Sequence, residues 1–591
     1  MADRERAGPG YEGGGVVIRP ALFTVAAAVV VAVSVLALRP DYSAVRRGAE
    51  DEGYLKSDTC LSCHPDHTAS WRKTFHRTMT QDATPQSVVG DFTTENRLDY
   101  LGVSATMERR GDRFQMTLAH SDGRAEVVPV VRTVGSRRIQ QYLTRVEDRY
   151  VRLPIAYHIE ERRWISLNGS FFYPDGSNYL QHQAVWDLNC VFCHNVKAQP
   201  HFDWTSRKVD TEVAELGIAC GACHGRTATH VQAALSPVTR TAWRLFPSRS
   251  RHVVNPEELP SERSMMVCGH CHGQRVPNPE EKIRSILSEG DPFDAGEDLT
   301  SHYRPVGRET RIGSYSFESR FWADGSPRLT AYEYQGLVRS ACFRKGEPGH
   351  RLTCLTCHDM HAGEPKGMIR AENKGDGPCL SCHPALAPAA ALTTHTGHEA
   401  TSPGSRCYAC HMPRVVYGVM SIHRTHEITV PDPGLTVRPG VPNACNQCHV
   451  DRSVGWSARA AARIWPRRFP SATVDPRFEV AEGPRSLFSG DAVQRSLAAE
   501  AMGAPHVDRA WARPFLLEAF DDPYPIVRFF AARALRSSGW GGPALDYLGS
   551  HEERERSLLL GRGLASPSAD LLELVERFRK ERVDVDIEVG E

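Results

Sequence analysis

The chain has 591 residues, 41% of them hydrophobic and 24% charged, enough for several domains of ordinary globular composition. Its 71 Lys and Arg balance 71 Asp and Glu, which excludes the basic field of a nucleic-acid binder. Seventeen cysteines and 26 histidines stand out, and a chain this long needs no disulfide staples, so their spacing must decide what they do.

Residues 21–38 form an uncharged apolar run, ALFTVAAAVVVAVSVLAL. It is near the lower limit for a spanning helix and longer than the usual core of a cleavable signal. Arg4, Arg6 and Arg19 precede it, and Arg39, Arg46 and Arg47 follow it, so the positive-inside bias is weak. One reading is a membrane anchor over 20–39 behind a short cytoplasmic tail, 1–19. The other is a cleaved signal. Both export everything after residue 40.

The first Cys-x-x-Cys-His motif follows at Cys60, Cys63 and His64. Beyond it RFQMTLAH, AEVVPVVRTV and WISLNGSFF are alternating, β-branched and aromatic runs separated by turn signals. They predict a small antiparallel β insertion over about 90–175. The motif then recurs at Cys190/Cys193/His194, Cys220/Cys223/His224 and Cys268/Cys271/His272. After a Pro- and Gly-rich stretch, 273–353, that reads mainly as loops, it recurs at Cys354/Cys357/His358, Cys379/Cys382/His383, Cys407/Cys410/His411 and Cys445/Cys448/His449.

Eight copies take 16 of the 17 cysteines, where chance predicts about 0.02 copies. Two thiols three positions apart can add to the two vinyl groups of one haem as thioethers, and the adjacent imidazole is then held beneath the iron. Zinc sites built from Cys-x-x-Cys pairs are the plainer alternative, but zinc does not require a histidine directly after every second cysteine. The residues therefore point to eight covalently bound c-type haems. Each is a flat apolar body that acts as core, so the protein needs no large apolar core of its own, and little stable structure is expected without haem.

Eighteen histidines lie outside the motifs. The distal-ligand candidates are His76, His182, His230, His361, His395, His398, His423 and His426, chosen by their nearness to motifs. In the close pairs, His395 with His398 and His423 with His426, the two members compete and one of each is expected to bind. His158, His252, His302 and His350 are weaker candidates, and His506 and His551 read as surface residues. Met79, Met360 and Met412 lie near motifs but more often such residues pack against a ring, and histidine on both faces implies low potentials. Cys342, outside the motifs, reads as a packed thiol.

After His449 cysteine vanishes and Ala, Leu and Arg take over. An offset of 33 places Arg528 on Arg495, Ala531 on Ala498, Ala532 on Ala499 and Leu535 on Met502. This is a repeat signal and predicts a HEAT-like helical domain over 470–580, docked on the rest and able to bind a protein partner. The fold class is thus mostly α and loop: a haem-packed cytochrome domain over 40–460 with a small antiparallel β insertion, and an α-helical tail.

The phrases CLSCHPDHTASWRKTFHRTM, WDLNCVFCHNV, GIACGACHGRTATH, LTCLTCHDMH, CYACHMP and PNACNQCHVDRSVGW carry a family resemblance. Over roughly 55–460 the chain resembles the octahaem c-type cytochromes related to hydroxylamine oxidoreductase. More closely it looks like membrane-anchored members with a HEAT or tetratricopeptide tail. The resemblance implies closely stacked, mostly bis-histidine haems and names no substrate.

Two functions follow. One is an electron relay between redox protein partners on the periplasmic side of a bacterial inner membrane, or in soluble periplasmic form. The other is an octahaem oxidoreductase acting on a small nitrogen or sulfur compound such as nitrite, hydroxylamine or tetrathionate, which needs one iron with an open position. The chain has no Cys-x-x-Cys-Lys motif, which argues against a pentahaem-type nitrite reductase, and the relay is the preferred reading.

Overall fold

The computed structural model describes residues 53–587 apart from 121, 177–183, 247–250, 330–331, 348–350, 438–439 and 470–474. The apolar run 21–38, its flanks, His182 and His350 lie outside the described residues. Among the described residues no helix is long and apolar enough to cross a membrane.

Among the described residues nine strands lie between the first and second motifs: β1 (Thr80–Asp82), β2 (Arg97–Tyr100), β3 (Val103–Arg110), β4 (Arg113–His120), β5 (Ala125–Val130), β6 (Arg132–Val134), β7 (Ile139–Val146), β8 (Arg149–His158) and β9 (Arg163–Ser166). They form two antiparallel sheets, ordered β2-β3-β4-β5 and β1-β6-β7-β8-β9. In β4 the period of two is plain: Phe114, Met116 and Leu118 are buried while their neighbours are not, as a half-buried strand requires. Gly111, at φ +63°, closes the tight β3–β4 turn, a backbone conformation that costs glycine nothing. Phe92 meets Phe114, Tyr142 and Trp164 edge-on, with centroids 5.1–5.6 Å apart, a favoured aromatic geometry.

The C-terminal segment is helical: α1 (Glu482–Ser489), α2 (Ala492–Met502), α3 (Arg509–Glu518), α4 (Pro525–Ser537), α5 (His551–Ala565) and α6 (Ala569–Lys580). Asp491 and Ser550 cap α2 and α5 through reciprocal capping boxes, satisfying orphan N–H groups at both starts. Pro525 at the first turn of α4 removes an N–H that would have had no partner. Small residues let α2 and α4 approach: a Cβ on Gly503 would lie 2.5 Å from the Ala534 Cβ.

One hydrophobic core runs from the β sheets into these helices, joining Phe92, Met116 and Trp164 to Leu487, Phe515, Phe529 and Phe530. This corrects the expectation that the chain buries no large core of its own. Along the motifs themselves the buried clusters are small, such as Tyr54, Trp71, Val196 and Ala219. Polar contacts reinforce the join. Arg528 of α4, with a fully buried side chain, pairs with Asp175 at 3.0 Å and donates to the Tyr547 carbonyl at 2.9 Å. Arg495, its equivalent at the 33-residue offset, is also fully buried and pairs with Asp522 and Asp584.

Residues 273–353 depart from the loop expectation. Arg275–Pro277 pairs antiparallel with Tyr303–Pro305, Arg311–Ile312 pairs with Tyr315–Ser316, and helices occupy Ile283–Glu289 and Glu333–Arg339. Each element is too short to show a period. Long-range packing of Val276, Val306, Phe317, Phe321 and Tyr332 stabilises them instead.

Candidate haem-binding sites

Each motif closes one helical turn. The histidine N–H donates to the carbonyl of the first cysteine in the motifs of His64 (2.8 Å), His194 (3.1 Å), His272 (2.8 Å), His358 (2.9 Å), His383 (2.9 Å) and His449 (2.8 Å). His224 and His411 end the short helices Cys220–His224 and Cys407–His411. Residues i, i+3 and i+4 of one turn share a face, so both thiols and the imidazole of each motif are presented together. None of the 17 cysteines is paired in a disulfide. Among the described residues no group of three or more His, Cys, Asp or Glu converges as a metal site.

The motif thiols differ in exposure. Cys63, Cys382 and Cys448 are exposed, whereas the other motif cysteines are half-buried. The first and sixth motifs depart furthest, because His64 and His383 are exposed along with Cys63 and Cys382. At the sixth motif the reason is local. The two short helices that flank Cys382, Gly377–Leu380 and Pro384–Leu386, contain no buried residue, so no apolar segment of the chain folds over the turn. The Ser381 hydroxyl, 4.0 Å from the Cys382 sulfur, is itself exposed.

Six motif histidines face a second imidazole from elsewhere in the chain. The ring centroids are 6.3 Å apart for His64 and His230, 6.0 Å for His272 and His76, and 5.9 Å for His224 and His361. They are 6.3 Å apart for His358 and His426, 6.1 Å for His411 and His395, and 6.1 Å for His449 and His398. An imidazole nitrogen lies about 2 Å from its metal, and the ring centre about 1 Å further, so two imidazoles on opposite faces of one haem iron have centroids about 6 Å apart. The six separations fit that geometry.

The hydrogen bonds fit as well. Nδ1–H donates to a backbone carbonyl in His224 (Val254, 2.7 Å), His230 (Arg251, 2.7 Å), His358 (Gly367, 2.9 Å), His398 (Thr396, 2.9 Å) and His411 (Thr429, 2.6 Å). That bond orients the ring and leaves Nε2 as the ligating nitrogen. Burial lowers the pKa of His64, His224, His358, His361, His395, His426 and His449, and neighbouring imidazoles lower it further. Burial, then His272, brings His76 down to about 4. Neutral rings are what a metal requires. His194 and His361 each bury an Nδ1 with no hydrogen-bond partner.

Several histidine expectations also need correction. His395 and His398 do not compete, because they face different motif histidines. His426 faces His358, whereas His423 stacks on Tyr417 at 4.7 Å and contacts Arg138. The hairpin Arg414–Tyr417 with Ser421–Arg424 turns His423 that way. His158 packs on Phe529 in the core, and His302 bonds Glu297. Among the described residues His194 and His383 have no facing imidazole of this kind.

Sequence reasoning missed His67, whose ring lies 4.4 Å from His361 and 6.1 Å from His64. Its place three residues after His64, on helix Pro65–Trp71, was the available signal. It also missed a buried group beside the fourth motif. Asp291, 4% exposed, bonds His270 Nε2 at 2.7 Å and accepts from the Tyr303 hydroxyl at 2.9 Å. Arg275 lies 3.8 Å from Asp291, and its Nη1 donates to Cys193 Sγ at 3.5 Å.

Repeated thiol–thiol–imidazole turns, with second imidazoles at iron-spanning distance, define a c-type cytochrome carrying several covalently bound haems. The family described as Doubled CXXCH motif matches residues 347–388, a span that holds the fifth and sixth motifs. No curated protein matches the chain. Among solved structures the chain is similar to the Outer Cell Wall Cytochrome OcwA, with 14% identity and a TM-score of 0.45 over 87% of this chain and 100% of that one. It is also similar to an undecaheme cytochrome from the S-layer of Carboxydothermus ferrireducens, with 14% identity and a TM-score of 0.33 over 90% of this chain and 70% of that one.

Proposed function

We propose that the chain is an exported octahaem c-type cytochrome that relays electrons between redox proteins at the outer face of a membrane, held there by residues 20–39. The six facing imidazole pairs carry this reading. When bound, haem supplies a one-electron iron couple, and an iron closed by two histidines exchanges electrons without taking up a substrate. The chain's residues orient His224, His230, His358, His398 and His411 by backbone carbonyls and bring imidazoles from distant segments opposite the motif histidines. The helical tail, read as HEAT-like from its 33-residue offset, is a surface for a protein partner.

The second reading, an octahaem oxidoreductase, needs one iron with an open position for substrate. The holoprotein, freed of non-covalent pigment with acid acetone, is expected to weigh the polypeptide plus eight haems. Its ferric electron paramagnetic resonance (EPR) spectrum is expected to be low-spin. A high-spin component that shifts on adding nitrite, hydroxylamine or tetrathionate would establish the enzyme instead.

A further inference from the structure

We propose that Gly397 and Trp465 are positioning residues: they set one turn, 395–398, so that its two imidazoles face two different motif histidines, and the helix after the eighth motif holds both at once. The proposal rests on the reading that His395 and His398 are distal ligands.

Residues three apart on one helix share a face. On a continuous helix His395 and His398 would therefore point to the same side and compete for one site. They do not, because the helix Ala389–Thr396 stops between them. Gly397 takes a left-handed conformation, φ +71°, which a side chain with a Cβ resists and a β-branched one resists most. A Cβ there would also lie 2.5 Å from Ile464 Cδ1 and 3.1 Å from its Cγ1. Past this break His398 is fixed locally. Its N–H donates to the Thr396 hydroxyl at 3.2 Å, and its carbonyl accepts from the Ser405 hydroxyl at 3.3 Å. Its ring packs where Gly404 has no side chain, since a Cβ there would lie 2.6 Å from the imidazole.

The support comes from the far side of the eighth motif. Helix Val454–Ile464 begins four residues after His449, with Ser453 capping it through the Trp456 N–H at 2.9 Å. Trp456, in its first turn, packs on His449 with centroids 4.9 Å apart. Ser457 donates at 2.9 Å to Asn446, whose amide donates to the His449 carbonyl at 3.2 Å. At the other end Ile464 lies against Gly397, and the Trp465 indole N–H donates to the His395 carbonyl at 2.8 Å. One helix thus ties the eighth motif to the turn that faces both His411 and His449.

The test is EPR of ferric holoprotein carrying Gly397→Val, with Thr394→Ala, an exposed position on the same helix, as the control. Gly397→Val is expected to keep its haems by mass and to lose the low-spin signal of two of them, although Gly397 supplies no ligand. Added imidazole is expected to restore both, since what is misplaced is a ring nitrogen and not the fold. Thr394→Ala is expected to match wild type. Loss from one haem, loss from none, or the same loss in Thr394→Ala overturns the proposal. Should Gly397→Val fail to mature, Trp465→Phe decides: it keeps an aromatic ring without the donor and is expected to shift the low-spin g values of two haems, and unchanged g values overturn the proposal. If alanine at His395 and at His398 leaves every haem low-spin, the ligand reading itself fails, so the two failures are distinguishable.

Discussion

The His426 ring centre lies 6.3 Å from that of His358, with the planes 24° apart, although the sixth and seventh motifs intervene in the chain. The Gly367 carbonyl takes the Nδ1–H of His358 at 2.9 Å, which turns its Nε2 toward His426. His423, three residues earlier, is held away by Tyr417 and Arg138.

His426→Ala should therefore convert one haem from low-spin to high-spin, whereas His423→Ala should leave the spin state unchanged. EPR of the two ferric variants checks this. A spin change on His423→Ala with none on His426→Ala would reverse the assignment.

His395 and His398 face different motif histidines. Each single alanine variant should perturb one haem, and the double variant two, with additive loss of low-spin signal, since the sites share no ligand. If the double variant loses no more signal than either single, the two residues serve one iron.

Arg275 places a buried positive charge 3.5 Å from Cys193 Sγ. Reduction adds negative charge at the iron, so a nearby cation favours the reduced form and raises the potential. Arg275→Gln should lower the midpoint of at least one haem by on the order of tens of millivolts. Spectroelectrochemical titration reads the shift, and an unchanged or raised midpoint contradicts it.

Asp175 pairs with the fully buried Arg528 at 3.0 Å and with Arg554 at 3.2 Å. Asp175→Ala leaves a guanidinium buried without its counter-charge, which costs about 3 kcal/mol or more. Thermal unfolding should show a lowered Tm with the haem absorption of the folded variant unchanged. A Tm equal to wild type would mean that the Tyr547 and Asp522 carbonyls, which also accept from Arg528, suffice.

Expression without haem maturation should leave a folded remnant. The core joining the β sheets to the C-terminal helices contains no motif residue, whereas the clusters along the motifs are small. Limited proteolysis of the haem-free chain should cut first between 177 and 450 and leave two fragments that co-elute. Uniform digestion would show that the join also depends on haem.

The sequence alone was enough to determine the chemistry of the motifs. Cysteine, cysteine and histidine at i, i+3 and i+4 share a face through one hydrogen-bonded turn, a geometry that is local and independent of the rest of the fold. Strand β4 and the offset between Arg495 and Arg528 were legible for the same reason: a period repeats within a few residues or recurs at one spacing. Tertiary structure alone decided that His426 and not His423 faces His358, that His395 and His398 serve different sites, that Cys382 stands at the surface while Cys357 is half-buried, and that the β sheets and the tail share a core. Those outcomes depend on contacts between segments far apart in the chain, whose formation reflects packing and burial of the whole molecule. No local pattern encodes which of two nearby imidazoles a distant turn will meet.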